Sequence, residues 1–195
     1  MKHKSVLLDE VIDYLNVNQG GKYIDATVGY AGHSGEVLKR LDKKGFLFAF
    51  DQDDEAIAYS QNKLSGIADN FKIFKSNFQY MKKYIDEPVD GIMFDLGVSS
   101  PQLDDDYRGF SFHKDARLDM RMNQNNKLDA YYVVNNYSYE DLVRIFYEYG
   151  EEKYASSIAK GIISSRPIES TLELVEVIKN NVPEKYKRDK HPARK

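Results

Sequence analysis

A chain of 195 residues with 42% hydrophobic content and a formal charge of −3 can build a core, fits one domain of ordinary size plus a modest second unit, and excludes a protein that coats nucleic acid non-specifically. It has no cysteine, and His3, His33, His113 and His191 are widely scattered; disulfides, thiolate metal sites and cysteine nucleophiles are excluded, and neither a zinc motif nor metal catalysis is expected. No apolar run reaches the length of a membrane span, and the N-terminus leads into an amphipathic segment rather than a signal-peptide apolar region, so the expectation is a soluble cytoplasmic protein without a membrane partner, in which any nucleic acid is held locally.

Residues 5–15 place Leu7, Leu8, Val11, Ile12 and Leu15 at helical spacing, which predicts an amphipathic helix packed on the domain that begins at Tyr23. Gly20 and Gly21 end that entry segment. A short β-rich run, 22–24, leads through Asp25-Ala-Thr-Val-Gly-Tyr-Ala-Gly-His33 into a helical run, 34–41. Gly29 and Gly32 thus fall where a strand turns into a helix, the place where α/β proteins hold nucleotides on the first helical amides. The apolar run 46–50 ends in Asp51 and reads as a strand buried on both faces. A helix over 55–64, a strand over 71–74, a loop at 76–78, a helix over 80–85 and a strand over 89–95, again ending in a carboxylate, follow. Alternation at this spacing predicts parallel strands joined by right-handed crossovers, with Asp25, Asp51, Phe78 and Asp95 converging on one crevice.

Beyond Leu103 the pattern changes. An acidic run, Asp104-Asp-Asp106, is followed by mixed aromatic and charged residues and then by helices without strands. Ser138 with Asp141, and Ser170 with Glu173, have capping-box spacing, and Gly150 and Pro167 stand where helices stop. Tyr154, Ile158 and Ile162 form one apolar stripe and Leu174, Val175 and Ile178 another, both read as core. The economical division is an α/β half over 1–103 and a helical unit over 104–195.

Several residues carry two readings. Asp51 stands about 20 residues after the glycines, where a carboxylate accepts two hydrogen bonds from an adenosine ribose, but it could equally cap the helix beginning near Asp54. Asp95 in Asp-Leu-Gly is either turn chemistry or a carboxylate facing the reacting end of a ligand. Phe78 is either core or a platform for a base. Arg108, Lys114, Arg117 and Arg121 could touch phosphate, although loop charges more often pair with neighbours such as Asp115 and Asp119.

Ser5-Val-Leu-Leu-Asp-Glu10, Tyr23-Ile-Asp25, Ala31-Gly-His-Ser34, Phe50-Asp-Gln-Asp53, Asp95-Leu-Gly-Val-Ser-Ser-Pro-Gln-Leu103, Arg108-Gly-Phe-Ser-Phe112 and Arg117-Leu-Asp-Met-Arg-Met122 together resemble the RsmH (MraW) methyltransferases, essentially from end to end. The long and unusual stretch 95–122 carries most of that resemblance. It implies a Rossmann-like S-adenosylmethionine-dependent methyltransferase sheet with an α-helical insertion that recognises RNA. The implied reaction is methylation of N4 of a cytidine near the P site in 16S rRNA of the small ribosomal subunit. It further implies that Ala31, Gly32 and His33 hold the methionine part of the cofactor, that Asp51 binds its ribose, that Phe78 flanks the adenine, and that Asp95 and Gln102 complete the site. Asp95 is also the candidate catalytic residue. Because the exocyclic amine is a poor nucleophile, alignment of N4 with the sulfonium methyl would carry most of the rate, with the base taken out of its stack.

Two features depart from the family pattern. Ala31 occupies a loop position where most relatives have glycine, at a cost of roughly 1 kcal/mol if the position needs positive φ and at none otherwise. With four strand candidates, the last would be an apolar sheet edge, and the chain reads as truncated before the remaining strands. The rival readings are a nicotinamide-dependent oxidoreductase and a non-catalytic or partially active fragment.

Overall fold

The alternating first half of the chain folds as its periodicity dictates. In a computed structural model, which describes residues 5–105, 107–189, 191 and 193, the chain divides into two compact units, Met1–Gly97 and Val98–Lys195. The N-terminal Met-Lys-His-Lys, Asp106 of the acidic run, and most of the closing His-Pro-Ala-Arg-Lys lie outside the described residues.

The first unit runs α1 (Leu8–Leu15), β1 (Lys22–Asp25), α2 (Gly32–Arg40), β2 (Phe46–Asp51), α3 (Asp54–Ser65), β3 (Phe71–Lys75), a 3-10 helix (Phe78–Lys83) and β4 (Gly91–Met93). The strands form one parallel sheet in the order β3-β2-β1-β4, with Asp25 opposite Ala49 and Met93, and Asp51 opposite Lys75. Leu47, Ala49 and Phe50 of β2 are buried, as a strand flanked on both sides requires. One core packs Ile12, Val37, Leu38, Leu47 and Leu64 together; a second gathers Ile24, Phe50 and Ile85.

Two elements differ from the sequence expectation. β4 spans three residues rather than 89–95. Its partner β1 turns away after Asp25, so the ladder ends with the Ala26 amide donating to the Met93 carbonyl. Beyond that point Phe94, Leu96 and Val98 are exposed, as is Ile92 within the strand. The segment after β3 begins two residues earlier than expected and is 3-10 rather than α. Asn77 initiates it by accepting from the Gln79 amide at 2.9 Å, and short connecting turns of this kind are the ordinary use of 3-10 geometry.

The second unit begins with α4 (Ser100–Asp104). After the stretch 105–129 it continues with α5 (Ala130–Asn136), α6 (Tyr139–Glu148), α7 (Ala155–Ser165), α8 (Thr171–Asn180) and α9 (Glu184–Asp189). Leu142, Ile158, Ala159, Ile162 and Ile168 form its centre, with Tyr154, Leu174 and Ile178 packed against them. Both stripes therefore face the core. The stretch 105–129 is pinned to the start of α8: the Thr171 hydroxyl donates to the Lys114 carbonyl at 2.6 Å and accepts from the Ala116 amide at 3.0 Å. Ser170 and Glu173 form a complete capping box, whereas Ser138 and Asp141 bond each other without closing one. Ser170→Ala is expected to lower the stability of this unit by about 1 kcal/mol in urea titrations.

Candidate cofactor site

The parallel strands deliver Asp25, Asp51 and the segment after β4 to one edge of the sheet, and the turn between β1 and α2 closes over that edge. The turn uses the left-handed region twice, at Gly29 (φ 48°) and at Ala31 (φ 53°). Ala31 is also wholly buried, at 0% exposure, so its position does require positive φ. Ala31→Gly is expected to leave stability within about 0.5 kcal/mol of the wild type in thermal unfolding, because relief of about 1–2 kcal/mol of left-handed strain is offset by about 0.4–1 kcal/mol of added unfolded-chain entropy and about 0.8 kcal/mol for the lost buried methyl.

Asp51 organises the turn. Its Oδ2 accepts from the Gly29 amide at 2.8 Å, and its Oδ1 accepts from the amides of Gln52 and Asp53 at 2.7 and 3.0 Å. The capping role that Asp51 could have filled falls to Asp53, whose side chain accepts from the Glu55 amide at 3.1 Å. Asp51 thus ties the end of β2 to the glycine turn with its carboxylate half-buried at the strand end.

Asp25 is buried deeper. Its Oδ2 accepts from the Ser34 hydroxyl at 2.6 Å and its Oδ1 from the Thr27 amide at 3.1 Å. Burial pushes its carboxyl up to about 6, against the opposing pull of those two hydrogen bonds and of His33, while the nearby Asp51 charge adds to the rise.

His33 lies at the start of α2 with Nε2 2.9 Å from the Val6 carbonyl. A carbonyl only accepts, so Nε2 carries a proton, while the other ring nitrogen, Nδ1, stands 4.0 Å from Asp95 Oδ2. The entry segment also presses on the turn at Gly32, where a built Cβ would stand 1.6 Å from the Ser5 hydroxyl oxygen. Glycine is required at 32 for space rather than for dihedral freedom. Asp95 itself is exposed, and its backbone amide donates to the Thr27 hydroxyl at 2.7 Å. Phe78 is half-buried and meets Phe94 edge to face at 5.5 Å.

Gln102 belongs to the second unit. Its side chain accepts from the Ser99 amide at 2.9 Å while its own amide donates to the Ser99 hydroxyl at 3.3 Å, a capping box for α4. Two of the basic residues in 108–121 are committed to internal ion pairs. Arg117 pairs with Asp129 at 2.7 Å and Arg121 with Asp119 at 2.5 Å, and the Arg121 bond holds the Asp119 carboxyl below its usual range. Arg108 is buried and donates to the carbonyls of Arg121 and Met122; Lys114 donates to that of Asp104.

The crevice therefore presents acceptors, the carboxylates of Asp51 and Asp95. Such a surface suits a ligand bearing hydroxyls, an amino group or positive charge and repels a pyrophosphate. It fits S-adenosylmethionine, which carries a ribose diol, an ammonium and a sulfonium. Sequence reasoning placed Asp25 at this edge without a role and passed over Thr27 and Ser34. The available signal was a carboxylate at a strand end with hydroxyl residues two and nine positions later, on the turn that folds back over it.

Among known proteins, the model of the MraW methylase family matches residues 1–195. The proteins named ribosomal RNA small subunit methyltransferase H of Mycoplasma mycoides subsp. mycoides and Mesoplasma florum are 50% and 52% identical to the chain. The first aligns over 199 residues and the second over 200, each covering 100% of this chain and 65% of the relative. The protein of that name from Ruminiclostridium cellulolyticum is 51% identical over 204 residues with the same coverage. This chain thus spans 65% of the length of those curated relatives. With the strand-end geometry in place and the match running over its full extent, the chain belongs to the MraW methylase family.

Proposed function

We propose that this chain carries the cofactor-binding part of an S-adenosylmethionine-dependent methyltransferase of small-subunit ribosomal RNA. Its acceptor is N4 of a cytidine near the P site of 16S rRNA, and its setting is the cytoplasm. The observation that carries the cofactor reading is the ring of acceptors around the glycine turn, above all Asp51, whose carboxylate is fixed to the Gly29 amide. In this reading Asp51 takes the ribose hydroxyls, the turn at Ala31, Gly32 and His33 holds the methionine part, Phe78 flanks the adenine, and Asp95 and Gln102 complete the site. The helical part, 104–195, is the family's insertion and serves RNA recognition.

The cofactor supplies an electrophilic methyl on a sulfonium. What remains for the chain is alignment and charge. Asp95, exposed beyond β4, accepts a hydrogen bond from the cytosine amine, raises the electron density on N4 and is placed to receive its proton. The turn and the entry segment at Ser5 and Val6 exclude water from the methionine end.

Calorimetry with S-adenosylmethionine and with NAD tests the cofactor, and binding of NAD alone would overturn the assignment. Transfer of labelled methyl groups to small-subunit particles tests the reaction, with loss of transfer expected in Asp95→Ala.

A further inference from the structure

Resting on the cofactor reading above, we infer that Thr27 is the positioning residue for Asp95. Its hydroxyl stands in for a backbone carbonyl where the β1–β4 ladder ends, and so holds the Asp95 segment against the glycine turn.

The register shows how. The last paired residues are Asp25 and Met93; two residues further on each chain stand Thr27 and Asp95. In a continuing parallel ladder the Asp95 amide would find a main-chain acceptor on β1. Here β1 has already bent into the turn, where the Val28 amide donates to the Phe50 carbonyl on the β2 side. The side chain of Thr27 fills the gap, accepting from the Asp95 amide at 2.7 Å. Thr27 is itself held, because its own amide donates to Asp25 Oδ1, and Asp25 is clamped by the Ser34 hydroxyl on α2. A chain of hydrogen bonds therefore runs from α2 through Asp25 and Thr27 to the Asp95 backbone.

Local packing around Asp95 is sparse, with the edge-to-face contact of Phe94 on Phe78 beside it. Phe94, Leu96 and Val98 are exposed around it, and a Cβ built at Gly97 meets nothing within 4 Å. The Asp95 carboxylate stands 4.0 Å from His33 Nδ1, beside the turn to which the Thr27 bond ties its backbone. Fixing the backbone at residue 95 by one hydroxyl sets where the carboxylate stands relative to the turn.

The test is a double-substitution cycle on the chain with Thr27→Val, which is isosteric but cannot accept, Thr27→Ser, which can, and Asp95→Ala. The readouts are S-adenosylmethionine affinity by calorimetry and amide hydrogen exchange at residue 95. Thr27→Val is expected to speed exchange of the Asp95 amide at least tenfold and to weaken cofactor binding about tenfold, and Thr27→Ser is expected to restore both. In the Asp95→Ala background Thr27→Val should cost no further affinity, because its effect travels through the missing carboxylate; additive losses would show a merely structural threonine and overturn the inference. Unchanged exchange at residue 95 in Thr27→Val overturns it as well. A wild-type chain that fails to bind S-adenosylmethionine defeats the cofactor reading instead, and the exchange measurement then decides the Thr27 to Asp95 hold by itself.

Discussion

Replacing Asp51 by alanine is expected to weaken S-adenosylmethionine binding by at least 100-fold in calorimetry. Two losses combine. The ribose hydroxyls lose a charged acceptor, and hydrogen bonds to charged groups are worth about 1.5–3 kcal/mol each, so a bidentate contact alone accounts for roughly 3 kcal/mol or two decades of affinity. In addition the Gly29 amide, 2.8 Å from Asp51 Oδ2, loses the partner that fixes the left-handed turn, and the turn must be reordered when ligand binds. Asp53→Ala is the matched control. It removes a helix cap from α3, two residues away, and should lower stability by about 1 kcal/mol with little effect on affinity. Equal effects of the two substitutions on binding would remove Asp51 from the ribose.

The second large effect is one of pH on stability. Asp25, raised by burial from an ordinary 3.8 to about 6, holds its proton in the folded chain over a range in which the unfolded chain has lost it. Between about pH 4 and 6 the native state therefore binds more protons than the unfolded state, and stability falls as pH rises through that window; above it the loss is complete. The difference between the two values corresponds to a loss on the order of 3 kcal/mol. Asp25→Asn does not titrate, so the stability of the wild type relative to this variant should decline by about that amount between pH 4 and 7 in urea titrations. Ser34→Ala removes a bond that favours the carboxylate and should carry the decline to higher pH. Parallel curves for wild type and Asp25→Asn would refute the raised carboxyl.

The strands and helices were legible wherever one periodicity dominated. The apolar run at 46–50 read as a strand buried on both faces, and the structure flanks it with β1 and β3. Legibility failed at β4, where apolarity continues through Phe94, Leu96 and Val98 although the ladder stops at Met93. Apolar composition reports a residue's demand for burial, whereas strand length is decided by where the partner chain goes. The site divided along similar lines. Strand-end carboxylates can be placed by topology alone, which brought Asp25, Asp51 and Asp95 to one edge on paper. The division of labour between Asp51 and Asp53 could not be read, since both are acidic and two residues apart, and only backbone direction decides which one meets Gly29 and which one meets Glu55. Thr27 and Ser34 were passed over because a hydroxyl in a turn is ordinary chemistry until its acceptor and donor are known.

The pairing of Arg117 with Asp129 and of Arg121 with Asp119 bears on ionic strength. Each phosphate neutralised by a free cation contributes about 0.7–0.9 to the slope of log affinity against log salt concentration. An arginine already matched by an internal carboxylate brings no net positive charge and releases few counterions from RNA. In the proposed rRNA complex these two guanidiniums should leave the salt slope almost untouched. Arg117→Gln and Arg121→Gln would then alter the folding of the stretch around residues 117–129 while the slope reports the lysines and arginines elsewhere on the chain.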